Sequence, residues 1–241
     1  MKIHCGFTLI EMAIVLTILG LLVGGFLIPQ SKYHDLKRIE LTQQRLEEIK
    51  KALLGFAVIH GYLPCPAIDD KGKETGRNST GRRCVTHDRS DGYLPWADLG
   101  VGRYDAWGNP FRYRVDGWFS NSDGIYTGIN ALVGKTENPL EVTEKKVIGK
   151  PVYQLNISND STYRANIVAI IFSCGKNGRP DNKNDADETP NSDASCQNDE
   201  AGDKHDYVQD VYVEDQFDDL LTWLPKYILL NRLAAAGRWP P

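Results

Sequence analysis

Glu11 is the only charged side chain between Phe7 and Ile28. The rest of that run is almost wholly apolar, and about 20 such residues span a bilayer as a helix. A carboxylate inside such a run costs roughly 2.5–3.5 kcal/mol at the helix centre, so it normally has a task and a partner. Four cysteines form a second reactive set: Cys65, Cys84, Cys174 and Cys196. An even number suits disulfides, and four allow three connectivities. Zinc is the competing chemistry for thiolates. The chain has no C-x-x-C pair and only five histidines, which argues against zinc. Cys5 precedes the apolar run and has no apolar stretch ahead of it, so it is not a lipid-modified cysteine.

Two charged segments are candidates for binding. Residues 181–203 carry eight acids against Lys183. Asp181, Asp185, Asp187 and Asp193 offer the hard oxygen ligands that calcium takes, and Asn182 and Asn184 could add neutral oxygens. EF-hand spacing is absent, and a solvated acidic loop is the plainer reading. Residues 71–83 hold Lys71, Lys73, Arg77, Arg82 and Arg83 against Glu74. Such a loop can meet nucleic acid or an acidic partner, though most basic loops are simply solvated. Catalytic signatures are missing. There is no G-x-S-x-G, H-E-x-x-H or P-loop, and Gly100-Val101-Gly102 lacks the third glycine of a dinucleotide site. His60, His87 and His205 are scattered. The expectation is a chain that is not an enzyme and requires no cofactor, with calcium at the acidic segment as the one candidate.

The totals frame these residues. The chain has 241 residues and a formal charge of -4. Its mean hydropathy is -0.40. One apolar run on an otherwise polar chain of this length reads as a membrane segment carrying a soluble head with its own core. Mild overall acidity makes nucleic acid an unlikely general partner. The start is not an ordinary secretory signal, because the small residue, Gly6, lies before the apolar run and no A-x-A-like site follows it.

After Pro29 a helical stripe begins. Leu36, Ile39, Gln43, Leu46, Ile49, Leu53 and Phe56 recur at spacings of three and four, with charges between them. The stripe ends at Gly61, a C-cap position, just before Pro64. It predicts one long helix whose second half docks on the head. Gly24, Gly25 and Pro29 are its weakest points. Residues 62–104 lack periodicity, and Cys65 and Cys84 could staple them. Strands are predicted at 111–115, 152–157, 166–173, 207–213 and 220–224. In the first, Phe111, Tyr113 and Val115 face one way and Arg112 and Arg114 the other. The run at 166–173 is nearly all apolar and reads as central in its sheet. Pro225 opens a last helix, which Gly237 ends.

Gly6-Phe7-Thr8-Leu9-Ile10-Glu11, followed by the apolar run, resembles the processing site of type IV pilins and of the pseudopilins of type II secretion. Asp105-Ala106-Trp107-Gly108-Asn109-Pro110-Phe111-Arg112-Tyr113 is similar to a D-x-W-G-N-P-aromatic-x-Y stretch in pseudopilins related to the major secretion subunit. Physically it is a turn leading into a strand, with Trp107 placed to cap the core. The leader and helix make up about a quarter of the chain. Pro29 falls one residue later than the usual pilin spacing, and the head is larger than that of a typical major pseudopilin. Both departures point to a minor subunit.

The resemblance implies an α+β, pilin-like fold: a long N-terminal helix, membrane half then amphipathic half, packed on an antiparallel β-sheet, with a short C-terminal helix. It divides the chain into a leader (1–6), a transmembrane or filament-core helix (7–28), its amphipathic continuation (29–61) and a periplasmic head (62–241). A prepilin peptidase would cut between Gly6 and Phe7, and Phe7 would be N-methylated. Glu11 would meet the Phe7 amine of a neighbouring subunit during assembly. Partners would be that peptidase, other pilins or pseudopilins, an inner-membrane assembly platform and, before assembly, lipid. The chain would be a single-pass protein of the bacterial inner membrane. The implied function is a structural subunit of a pilus-like filament; the alternative is an adhesive or DNA-uptake minor pilin that binds through its head. A head outside the cytoplasm favours disulfides, expected locally as Cys65–Cys84 and Cys174–Cys196.

Overall fold

A computed structural model describes residues 8–69, 71–75, 77, 84, 91–117, 119–122, 141–144, 153–154, 167–180, 196, 206–209, 211–213 and 217–238. The chain divides into two compact units, Met1–Glu40 and Leu41–Pro241. The dividing point lies inside helix α1, Leu9–His60. In the first unit the described apolar side chains of α1 are exposed, among them Leu9, Ile14, Leu16 and Leu21. Among the described residues no helix is long and apolar enough to cross a membrane. The described side chains of the apolar run stop at Leu22, short of the roughly 20 residues that a bilayer core takes.

The second unit is built on a four-stranded sheet. Its strands are β1 (Asp91–Tyr93), β2 (Arg112–Val115), β5 (Ile167–Ser173) and β7 (Leu220–Pro225), in the order β1-β2-β5-β7. All its pairings are antiparallel. A smaller sheet has the order β4-β3-β6, from β3 (Glu141–Glu144), β4 (Tyr153–Gln154) and β6 (Asp206–Gln209). In it β3 runs parallel to β6. A four-residue helix, α2 (Trp96–Leu99), follows β1, and α3 (Lys226–Ala235) closes the chain. Pro225 stands at the α3 N-cap, where its missing N–H costs nothing. Long N-terminal helix, antiparallel sheet and short C-terminal helix together make an α+β, pilin-like architecture.

Helix α1 packs one face into the head core. Thr42, Leu46, Ile49, Leu53 and Ala57 are buried, a run at spacings of three and four. Leu46, Ile49, Leu53 and Ala57 join Tyr113, Val115, Ala169 and Ile171 in one apolar cluster. The predicted stripe is thus right in its middle and wrong at its ends. Leu36 is 65% exposed, Gln43 is exposed and Phe56 only half-buried. Alanine and threonine, too small to weigh in a hydropathy pattern, take two of the docking positions. Gly61 ends the helix at φ 81°, donating its N–H to the Ala57 carbonyl at 2.8 Å.

The other sheet face carries the two arginines of β2. Arg112 and Arg114 do not face water: they are 5% and 1% exposed. Their cross-strand partners on β5 are Phe172 and Ile170. Those two belong to a second apolar cluster with Cys174, Cys196, Tyr207 and Leu221. The sheet is therefore covered on both faces, and β5, with all seven residues buried, is an inner strand of it. The guanidinium of Arg112 lies 4.9 Å from the Tyr93 ring centre, which suits a desolvated cation. On the helix-facing side Tyr113 donates its hydroxyl to the Pro64 carbonyl at 3.1 Å. Burial pushes this phenol well above its ordinary pKa; Glu74 adds to the rise and Arg77 opposes it.

The burial pattern makes a sharp comparison. Leu53→Ala should cost about 2–5 kcal/mol of head stability, as a cavity in a closed core. Leu36→Ala should stay within about 0.5 kcal/mol. Thermal or denaturant melting of the two variants beside the parent chain measures the difference; equal losses would show that docking extends further along the helix.

Candidate functional site: the helix start and the turn that holds the helix

At the start of α1 the Glu11 carboxylate already has a partner. Thr8 donates its backbone N–H to Glu11 Oε2 at 2.9 Å and its hydroxyl to the same oxygen at 2.8 Å. In return the Glu11 N–H donates to Thr8 Oγ1 at 3.3 Å. This reciprocal set is a capping box, Thr8 as N-cap and Glu11 three residues on. It satisfies two of the N–H groups that a helix start leaves open. The T-x-x-E spacing was readable in the sequence. The expected partner of Glu11 was a neighbouring subunit's amine; its first partner is Thr8 of the same chain. Gly6 and Phe7, the expected cleavage pair, lie outside the described residues.

In the head, the Asp105–Pro110 turn is built around one buried carboxylate. Asp105 is 3% exposed. Its Oδ1 accepts from the N–H of Trp107 at 2.9 Å and of Asn109 at 2.8 Å. Its Oδ2 accepts from the Ser173 hydroxyl, at the end of β5, at 2.6 Å. Gly108 sits at φ 94°, a value that an L side chain rarely adopts, which is why the turn needs glycine there. Asn109 donates its side-chain N–H to the Gly175 carbonyl at 2.6 Å. The turn also grips α1. The Ala106 N–H donates to Thr42 Oγ1 at 3.2 Å, and Arg45 Nη1 donates to the Tyr104 carbonyl at 2.8 Å. Trp107 does not cap the core as expected. It is half-buried and outside both apolar clusters, whereas Phe111 fills the core and Trp96 packs against it.

The cysteines are bonded Cys65–Cys84 and Cys174–Cys196, with Cα atoms 5.5 and 6.1 Å apart. The first bond anchors the basic segment. There Arg77 turns inward. It donates Nε and Nη2 to the Glu74 carboxylate at 3.2 and 2.7 Å and Nη1 to the Ser120 carbonyl at 2.8 Å. It also lies 4.5 Å from the Tyr62 ring centre. One cation of the five is therefore spent on the fold and not offered to nucleic acid. Lys71 pairs with Asp69 at 3.6 Å, and Arg82 and Arg83 lie outside the described residues. Asp181, Asp185, Asp187 and Asp193 also lie outside them. Among the described residues no cluster of histidine, cysteine, aspartate or glutamate could hold a metal.

Residues 1–27 match the family model described as the prokaryotic N-terminal methylation motif. The chain has a prepilin-type N-terminus. The match supports the type IV pilin and pseudopilin family and, with it, processing by a prepilin peptidase and assembly with other pilins. The chain matches no curated protein and no solved structure. Within the matched residues the box has a particular place. The motif's acidic residue, Glu11, is also the third helical residue, and its cap lies next to Phe7. Thr8→Ala should remove the cap at a cost of about 0.5–2 kcal/mol to the first turn. Amide exchange of Leu9–Met12 in the detergent-solubilised chain should quicken accordingly, while Thr8→Ser should leave it unchanged.

Proposed function

We propose that the chain is a structural subunit, a minor pseudopilin or minor pilin, of a helical filament of the type II secretion or type IV pilus kind. The observation that carries this reading is the methylation motif at residues 1–27, with Glu11 as the sole charge of the apolar run. On this reading residues 1–6 are a leader. Residues 7–28 are the inner-membrane segment before assembly and the filament core afterwards. The head lies in the periplasm, where disulfides persist. The methylation motif supports a structural role. An adhesive or DNA-uptake role would rest on the basic segment, which the inward Arg77 weakens.

Mass spectrometry of the N-terminal peptide tests the processing step. The mature chain should begin at Phe7 and carry an N-methyl group, and Gly6→Val should leave an uncleaved form in the membrane. A start beyond Pro29 would overturn the reading. Glu11→Ala should leave the head's melting unchanged, since Glu11 is in the other compact unit, but should lower incorporation into filaments at equal expression.

Calcium at Asp181, Asp185, Asp187 and Asp193 is part of the proposal. The Cys174–Cys196 bond closes the segment that carries all four. Carboxylates held in one loop repel, and a divalent cation of flexible coordination relieves that repulsion. Binding to the folded state alone raises the melting temperature with calcium concentration. Melting of the full chain in detergent, with millimolar calcium and with chelator, should differ; identical midpoints would leave an acidic loop without a metal.

A further inference from the structure

We infer that the Cys174–Cys196 disulfide is a redox latch on the turn that grips helix α1. Cys174 directly follows Ser173, the residue that holds Asp105 Oδ2. From the sulfur the path runs through Ser173 to Asp105, through Asp105 to the turn, and through the Ala106 N–H to Thr42 on α1. The turn beyond the cysteine is tied into the same set. The Gly175 N–H donates to Ser173 Oγ at 3.1 Å, and its carbonyl receives Asn109. The Gly178 N–H donates to the Cys174 carbonyl and the Cys196 N–H to the Gly178 carbonyl, both at 3.1 Å. The Asn177 N–H donates to Asp218 Oδ2 at 2.7 Å. There is no slack at Gly175, where an added Cβ would collide with the Asp218 backbone.

The packing makes this bond sensitive. Cys174 and Cys196 are 0% and 1% exposed, within the apolar cluster of Ile170, Phe172, Tyr207 and Leu221. Opening the bond replaces one covalent contact of about 2 Å by two thiols at van der Waals separation, in a close-packed interior that resists expansion. The displacement falls first on Cys174 and so on Ser173. Asp105 Oδ2 has Ser173 as its hydrogen-bond donor among the described residues, and a buried carboxylate that loses a donor relaxes its turn. The Cys65–Cys84 bond is placed differently. Its neighbours include the Cys65 N–H on Glu74, the Arg77–Cys84 bridge and the Ala67–Tyr93 bridge, none of which touches Asp105.

Closure is thiol–disulfide exchange. The two thiols give up two protons and two electrons, and an external disulfide takes them and leaves as two thiols. The reduced chain, as made in a thiol-rich compartment, then has a loose turn, and oxidation sets its grip on α1. The timing of this step rests on the proposed export of the head; the coupling itself does not.

Amide exchange on the full chain in detergent separates the two bonds. In Cys174→Ser/Cys196→Ser, which keeps two unbonded side chains where the disulfide stood, the amides of Asp105–Asn109 should exchange about tenfold faster, the effect of losing one hydrogen bond to a charged group. Those of Leu63–Ala67 should be unchanged. Cys65→Ala/Cys84→Ala should show the reverse. Unchanged exchange at Asp105–Asn109, or equal acceleration in both regions, would overturn the latch. If the double variant does not fold, Cys196→Ser decides: it opens the bond while leaving the Cys174 side chain in place and should quicken Asp105–Asn109 by the same factor, and no change there would overturn the proposal. Export or processing assays do not enter, so a failure here is distinct from a failure of the filament reading.

Discussion

A carboxylate taken out of water must be fully hydrogen-bonded or it undoes the fold around it. Asp105 is one such group in the head. Two of its donors come from its own turn and the third from the end of β5. The turn in turn donates to Thr42 and receives Arg45, both on α1. One side chain thus ties a loop, an inner strand and the helix together. The apolar cluster under the helix supplies most of the favourable free energy, but it is non-directional. The Asp105 bonds have direction, so they can fix where along α1 the head sits.

Glu11 solves the same problem at the other end of the helix and by similar means. Its donors are local, the N–H and hydroxyl of Thr8. A charge in an apolar run looked costly because no partner was counted. The capping box supplies two donors at once and covers helix-start groups that would otherwise also be costly in lipid. The single charge of the run is therefore compatible with the isolated subunit as well as with an assembly.

How much could be read beforehand depended on whether the signal was local. The long helix, its end at Gly61, the apolar strand at 166–173 and the Pro225 start of the last helix were all legible, because each rests on periodicity or on a single backbone rule. The alternation in β2 separated its two faces, but it was silent on what covers the arginine face, because a period of two reports direction and not cover. A second cluster, drawn partly from Cys174, Cys196 and Tyr207 far along the chain, lies on the face that carries Arg112 and Arg114. Trp107 was misread for a related reason. Its size suggested the core, but Phe111 and Trp96 hold that place. The ends of the docking stripe failed because Thr42 and Ala57 dock through shape and a hydroxyl, which hydropathy does not see. The Thr8 box is legible in the T-x-x-E spacing, which is a local signal.

The cap also bears on how a neighbour could be received. Both Thr8 donors use Glu11 Oε2, and among the described residues none donates to Oε1. A carboxylate can accept on both oxygens. An amine arriving from another subunit can thus bond to Oε1 without opening the cap, and the ordered first turn holds that oxygen in a fixed direction. A charge-assisted bond gains most where its partner needs no reorganisation. On the proposed filament reading, assembly would add a second bond to a carboxylate that is already satisfied once, and the incoming amine would be drawn by that pairing more than by the rescue of a stranded charge.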